Sequence, residues 1–205
     1  MSQQLDNPFV GCTDVSKASG KQWMTKLTNL VNGFINSPID NSSASSDVSL
    51  SIGQKAYVTA NGATSIPLHI ATASGQQYEI AMNGSSTYGP GTNYATLNPN
   101  NTTYSSAFTS RYLLANGASA FAYAGATNAF DVGIPASPDS AIIRAWTTTA
   151  AKRTQSQSQG QTTDVGNIEG DINSIWNDTT TTWASLGTLV VPIAWTGTVT
   201  IERKF

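Results

Sequence analysis

His69 is the only histidine in the chain and Cys12 the only cysteine, so acid–base or nucleophilic chemistry has few places to start. A catalytic histidine needs an orienting carboxylate and a nucleophile within hydrogen-bond reach, and the strand-like setting Ile66-Pro67-Leu68-His69-Ile70 marks neither. Cys12 has no basic neighbour closer than Lys17, so nothing in the local sequence favours a thiolate. One Cys and one His also exclude a disulfide framework and a Cys/His zinc site. Paired carboxylates could hydrolyse glycosides, but the three Glu are Glu79, Glu169 and Glu202, and no spacing brings two acids together. Asp164–Asp171 gathers oxygen ligands and glycines, yet it lacks both the Asp-x-Asp-x-Asp-Gly order and the closing Glu of a calcium loop. The sequence therefore reads as non-enzymatic, with no catalytic, cofactor or metal residue assigned.

Aromatic side chains offer a different chemistry. Tyr88, Tyr94 and Tyr104 fall in a Gly/Asn-rich stretch, and Trp176 and Trp183 bracket Asn177-Asp178-Thr179-Thr180-Thr181-Thr182. Rigid rings among Ser, Gly and Asn are the composition of recognition loops. The same five rings could instead anchor long loops onto a β core. Trp146 and Trp195 sit inside strand-like runs and read as core.

The elements that must carry these residues change character along the chain. Ser19 and Gln22 have capping-box spacing, and Trp23, Leu27, Leu30 and Phe34 step by helical intervals, with Met24 and Val31 widening the stripe, until Pro38. Trp23, Leu27, Leu30, Val31 and Phe34 fit either packing within their own domain or a short seam between subunits. Residues 41–47 are polar and low in complexity and read as a linker between an N-terminal segment, 1–40, and a β domain, 48–205.

From Val48 onward short β-type runs alternate with Gly/Asn punctuation. Asn61-Gly62 and Asn83-Gly84 read as hairpin turns, 150–163 as an exposed loop, 168–178 as one short helix and Thr196-Gly197 as a hinge between two strands. The fold class expected is mainly β: an antiparallel sandwich or jelly-roll-like domain with a short N-terminal α-helical appendage.

Charged residues are only 11% of the 205, with 10 basic against 12 acidic, and Ser, Thr, Asn, Gln and Gly replace them. Nucleic acid is not the expected partner, since phosphate binding needs a basic patch. No apolar run approaches the roughly 20 residues of a membrane-spanning helix, and the N-terminus has no secretory signal pattern.

The low-charge Ser/Thr/Asn/Gly-rich composition, the helical stretch through Trp23–Phe34, the Ser/Asn linker and the terminal β domain ending at Phe205 together resemble small virion proteins of tailed bacteriophages: short head or tail fibres, decoration proteins and receptor-binding knobs. The resemblance implies a virion structural protein, commonly a homotrimer. Its N-terminal part would bind other virion proteins, and its β domain would face outward toward host-surface glycan or protein. A carbohydrate-binding sandwich module and a small glycan-degrading enzyme are the alternatives.

Overall fold

The computed structural model describes residues 22–28, 37–86, 95–116, 119–133, 140–148, 151–162 and 166–205. The chain forms two compact units, Met1–Ser37 and Pro38–Phe205. In the first, 22–28 are helical; Trp23 is half-buried, whereas Met24 and Leu27 are 55% and 37% exposed. Leu30, Val31 and Phe34 lie outside the described residues.

The second unit is mainly β. Its described strands are β1 (Ile39–Asp40), β2 (Val48–Ser49), β3 (Lys55–Pro67), β4 (Ile70–Ala71), β5 (Gln77–Ser86), β6 (Thr96–Asn98), β7 (Phe108–Asn116), β8 (Ser119–Thr127), β9 (Phe130–Asp131), β10 (Ser140–Trp146), β11 (Arg153–Thr162), β12 (Gly166–Trp176) and β13 (Thr188–Arg203). Eleven of them join in one sheet whose main order is β1-β3-β13-β5-β10-β11-β12-β7-β8, while β2 and β4 form a small parallel pair. Apart from the parallel β1–β3 contact, the large sheet is antiparallel.

Strand β13 organises the layers. β3 lies along one side of it from Thr188 to Glu202. On the other side, β6 pairs with Thr188–Val190 and β5 with Trp195–Arg203. The sheet therefore forks at β13, one branch being β6–β9 and the other β5–β10–β11–β12–β7–β8. The branches meet again face to face: Tyr112 Oη on β7 donates to Asp131 Oδ2 on β9, and Ser174 Oγ on β12 donates to the Asp131 carbonyl at 3.0 Å. One sheet thus supplies both layers of a sandwich. Its core holds Tyr78, Ile80 and Met82 of β5, Ile143 of β10, Phe108, Phe130 and Leu97, and Val199 and Ile201 of β13.

The fork needs a distortion in β13, and the register slips on either side of Trp195. Here the expected turns are corrected. Asn61-Gly62 lies within the 13-residue β3 and Asn83-Gly84 within the 10-residue β5, and Thr196-Gly197 is part of β13. Gly62 does take the positive φ that Asn-Gly favours (φ +62°), but in an irregular stretch of β3, where its N–H donates to Thr196 Oγ1 at 2.9 Å. Gly84 and Gly197 pair across strands and leave room for the Trp195 ring. A glycine that makes space for a neighbour looks the same in sequence as one that makes a turn.

Two further expectations fail for a related reason. Residues 153–162, read as loop, form β11, and the helix expected over 168–178 is β12, paired with β11 from Arg153↔Ile175 to Thr162↔Gly166. β11 alternates as a strand does, but between amides and hydroxyls: Thr154, Ser156 and Ser158 are buried, while Gln157 and Gln159 are exposed. A period-2 pattern without apolar residues escapes a search for apolar alternation.

The polar stretch 41–47 belongs to the β unit and does not hang free as a linker. Asn41 is 1% exposed; its Nδ2 donates to the Leu68 and His69 carbonyls, both at 3.2 Å, and its N–H to the Tyr57 carbonyl at 2.8 Å. Asp40 Oδ1 accepts from the Ser42 N–H at 2.9 Å, and the Ser42 hydroxyl together with this N–H holds Asp40 below the usual carboxylate range. Specific hydrogen bonds order a segment whose composition alone suggests disorder.

Candidate functional site

Because side chains alternate across a strand, every second residue of β5, β10, β11, β12 and β7 faces outward from the sandwich. The registers align these residues in rows. One row runs Ala81, Ile142, Gln157, Asp171, Leu113, and the next runs Asn83, Ser140, Gln159, Glu169. Both rows line an open groove of about 680 Å³ across five strands. In the first row Leu113, at one end, is 58% exposed, and Ile142, next to Ala81 at the other, is 45% exposed. Between them lie amides and two carboxylates, with Gln159 Nε2 donating to Glu169 Oε1 at 3.4 Å.

A charged row borders the groove. Arg144 contacts Glu79 at 3.6 Å, Lys204 contacts Glu79 at 3.4 Å and Glu202 at 2.8 Å, and Lys55 contacts Glu202 at 3.7 Å. Lys204 holds Glu202 below its ordinary value, and Glu202 raises Lys204 in return. Such exposed pairs add little stability singly. Within the groove the ionisable residues are Glu169 and Asp171, both acidic. Amides, which donate and accept, suit a hydroxylated neutral ligand, and the carboxylates disfavour a phosphate. None of these groove residues stands out in the sequence, because the signal is a register between five strands and not a spacing along one.

Of the five rings offered for recognition or for anchoring, the three that are described pack in or against the core. Trp176 and Trp183 are 2% and 1% exposed, so they are core residues and not surface recognition residues. Trp176 stacks on Phe108 at 5.4 Å and Trp183 on Phe130 at 4.8 Å, while half-buried Tyr104 leans on Trp176 at 4.8 Å. The hydrophobic gain of burying two indoles against Phe108 and Phe130 outweighs their use at a surface. Tyr88 and Tyr94 lie outside the described residues, as does Cys12. Trp195 is fully buried, and Trp146 is half-buried on the outer face under Arg153, 4.8 Å from its ring.

Lys152 enters the aromatic cluster, with no exposed surface. Its Nζ sits 4.0 Å from the Trp176 ring centroid and donates to the Thr181 carbonyl. Burial pulls its pKa down, and nearby Asp178 partly restores it. Asp178 itself stays strongly acidic because the Thr180 and Thr181 hydroxyls and N–H groups donate to it. The sequence offers no hint of this lysine. Lys152→Ala is expected to cost about 2–4 kcal/mol in urea unfolding, by opening a cavity over Trp176, and Lys152→Met is expected to recover most of that loss.

His69 has φ +53°, its Nδ1 lies 3.8 Å from Asp47 Oδ1, and its carbonyl accepts from Asn41 and from the Val48 N–H. It ties the small β2–β4 pair to Asn41, a structural role. Glu169 and Asp171 face the groove from β12, and among the described residues no three potential metal ligands cluster. No described helix is long and apolar enough to cross a membrane.

Compared with known proteins, the chain matches no family, no curated protein and no solved structure.

Proposed function

We propose that this chain is a non-enzymatic structural protein of a bacteriophage virion, a short fibre or decoration protein. In this reading Met1–Ser37 docks on the particle, and the β unit faces outward and contacts the host surface through the amide-lined groove. The observation that carries the reading is the groove itself, set on a continuous sheet and built from Asn83, Gln157, Gln159, Glu169 and Asp171 between the exposed aliphatic side chains of Leu113 and Ile142. Neutral amide and hydroxyl groups keep such a face soluble without much charge, and many copies on one particle let a weak single contact hold by avidity. The same groove also suits a free carbohydrate-binding module.

Removing residues 1–37 separates the two. A virion protein loses co-sedimentation with particles that lack it, while the truncated chain keeps the circular dichroism of the β unit. A free module was never bound to particles, so full-length chain that fails to co-sediment overturns the virion reading. In the full chain, the exposed Gln157→Ala/Gln159→Ala pair should leave stability within about 0.5 kcal/mol and particle attachment intact, but reduce adsorption to host cells. Unchanged adsorption would remove the groove from the proposal.

A further inference from the structure

The two ends of the large sheet are finished differently. At one end the outer side of β3 is covered over Ala56–Thr59: β1 pairs with Ala56 and Tyr57, the Asn41 N–H donates to the Tyr57 carbonyl, and the Thr59 N–H donates to Ser42 Oγ at 2.9 Å. At the other end β8 pairs with β7 alone among the described residues. Ser119–Thr127 contains no charged residue and no proline, the devices by which natural edge strands discourage pairing. Its described outward residues, Ala122, Ala124 and Ala126, are exposed alanines. Leu113 stands beside Ala122 and is 58% exposed; Ile175, 47% exposed, lies one strand beyond Thr109 and Ala126.

We propose that the free edge of β8 is where a second copy of this chain pairs, antiparallel about a twofold axis, so that one sheet runs through both protomers. The chain's own edge is the fitting occupant for three reasons. An antiparallel register centred on Ala124 sets Ala122 of one copy against Ala126 of the other, small against small with no charge to repel. On the face that carries Ala122, Ala124 and Ala126, the alanines offer a foreign strand no side chain to select it. The charge nearest the axis is Arg111, beside Ala124 on β7. Across two β8 strands its two copies stand about 14 Å apart, beyond the ~8–10 Å screening length, so they do not oppose the pairing. Centred on Ala124, the register pairs residues 121–127 of each copy, seven residues or about 24 Å of edge at about one ladder hydrogen bond per residue, and a twofold contact closes on itself and leaves no growing end.

This inference stands apart from the virion reading, and it pairs chains in twos where the fibre resemblance implies threes. Light scattering of the full chain on a sizing column should give twice 21.5 kDa. Ala122→Lys/Ala126→Lys, at two exposed positions that face each other across the axis, should weaken the dimer at least tenfold and return the mass to one chain. Hydrogen exchange on the unaltered protein gives a reading that needs no variant: Ser119–Thr127 amides should gain protection as concentration rises. A single-chain mass at all concentrations, a threefold mass, a dimer the double variant leaves intact, or β8 amides whose exchange ignores concentration would each overturn the proposal.

Discussion

Gly197→Ala is expected to destabilise the β unit by about 3 kcal/mol or more, while Gly62→Ala, 135 positions earlier in the same irregular region, costs only about 1 kcal/mol. The contrast isolates crowding from backbone strain. A Cβ on Gly197 would lie 2.3 Å from the Asn83 carbonyl oxygen, 2.6 Å from Gly84 Cα and 2.7 Å from the Trp195 ring. Two of those three neighbours are backbone of β5, the next strand in the ladder, so relief means moving the sheet. Gly62 has φ +62° but open space around it, so alanine there meets only the left-handed strain of an L residue. Gly84→Ala should behave like Gly197→Ala, since its Cβ would come 2.4 Å from the Thr196 carbonyl oxygen and 2.5 Å from the Trp195 ring. Urea unfolding of the three variants tests the ordering. Equal losses for Gly62 and Gly197 would mean that Gly197 is not packed against β5 and the Trp195 ring as described.

The second large effect is a pH dependence centred on Asp131. This carboxyl is 5% exposed on β9, where it accepts from Tyr112, while Ser174 donates to its carbonyl. Burial raises its pKa above the ordinary carboxylate value, and the Tyr112 and Ser110 hydrogen bonds pull the other way without cancelling the rise. The folded chain therefore keeps this proton to higher pH than the unfolded chain does. Its contribution to stability is complete below the unfolded carboxylate range and is lost as pH rises through the folded value.

Asp40, Asp178 and Glu202 act in the opposite sense, because their folded values are lowered and their contribution disappears as pH falls. The difference between wild type and Asp131→Asn removes those shared terms. Stability of Asp131→Asn relative to wild type should increase from acidic to neutral pH. Asp131→Ala, which removes both the acceptor of the Tyr112 hydrogen bond and the packed carboxyl group, should cost about 1–3 kcal/mol at the acidic end, where the wild-type carboxyl is neutral. Parallel curves for wild type and Asp131→Asn would show that the carboxyl does not titrate differently in the folded chain.

Both effects sit where the layers join, a place invisible along the sequence. Trp195 reads as core from its strand-like run, and it is core, but the fork beside it depends on β6 and β5 sharing one side of β13. Asp131 reads as one of several scattered acids until β9 folds onto β7 and β12. The groove has the same origin: Gln157 and Asp171 are 14 positions apart and become neighbours through the β11–β12 register.

What the sequence determined by itself is what depends on local chemistry. Low charge, Gly/Asn punctuation and alternating apolar runs such as those in β5, β10 and β13 specify a mainly β chain, since period-2 burial and turn conformations are properties of neighbouring residues. Pro38, read in the sequence as the stop of the helical stretch, is where the β unit begins, ten positions before the boundary expected at Val48. The tertiary structure alone decided which glycines turn the chain and which make room for Trp195, whether polar segments such as 41–47 and 153–162 are ordered, and which aromatic rings face water. Each of those outcomes is settled by a partner distant in sequence: β13 for Gly84, the Leu68 and His69 carbonyls for Asn41, β12 for β11, and Phe108 and Phe130 for Trp176 and Trp183. A residue's type states what it can bond or bury, and only the fold supplies the group that answers it.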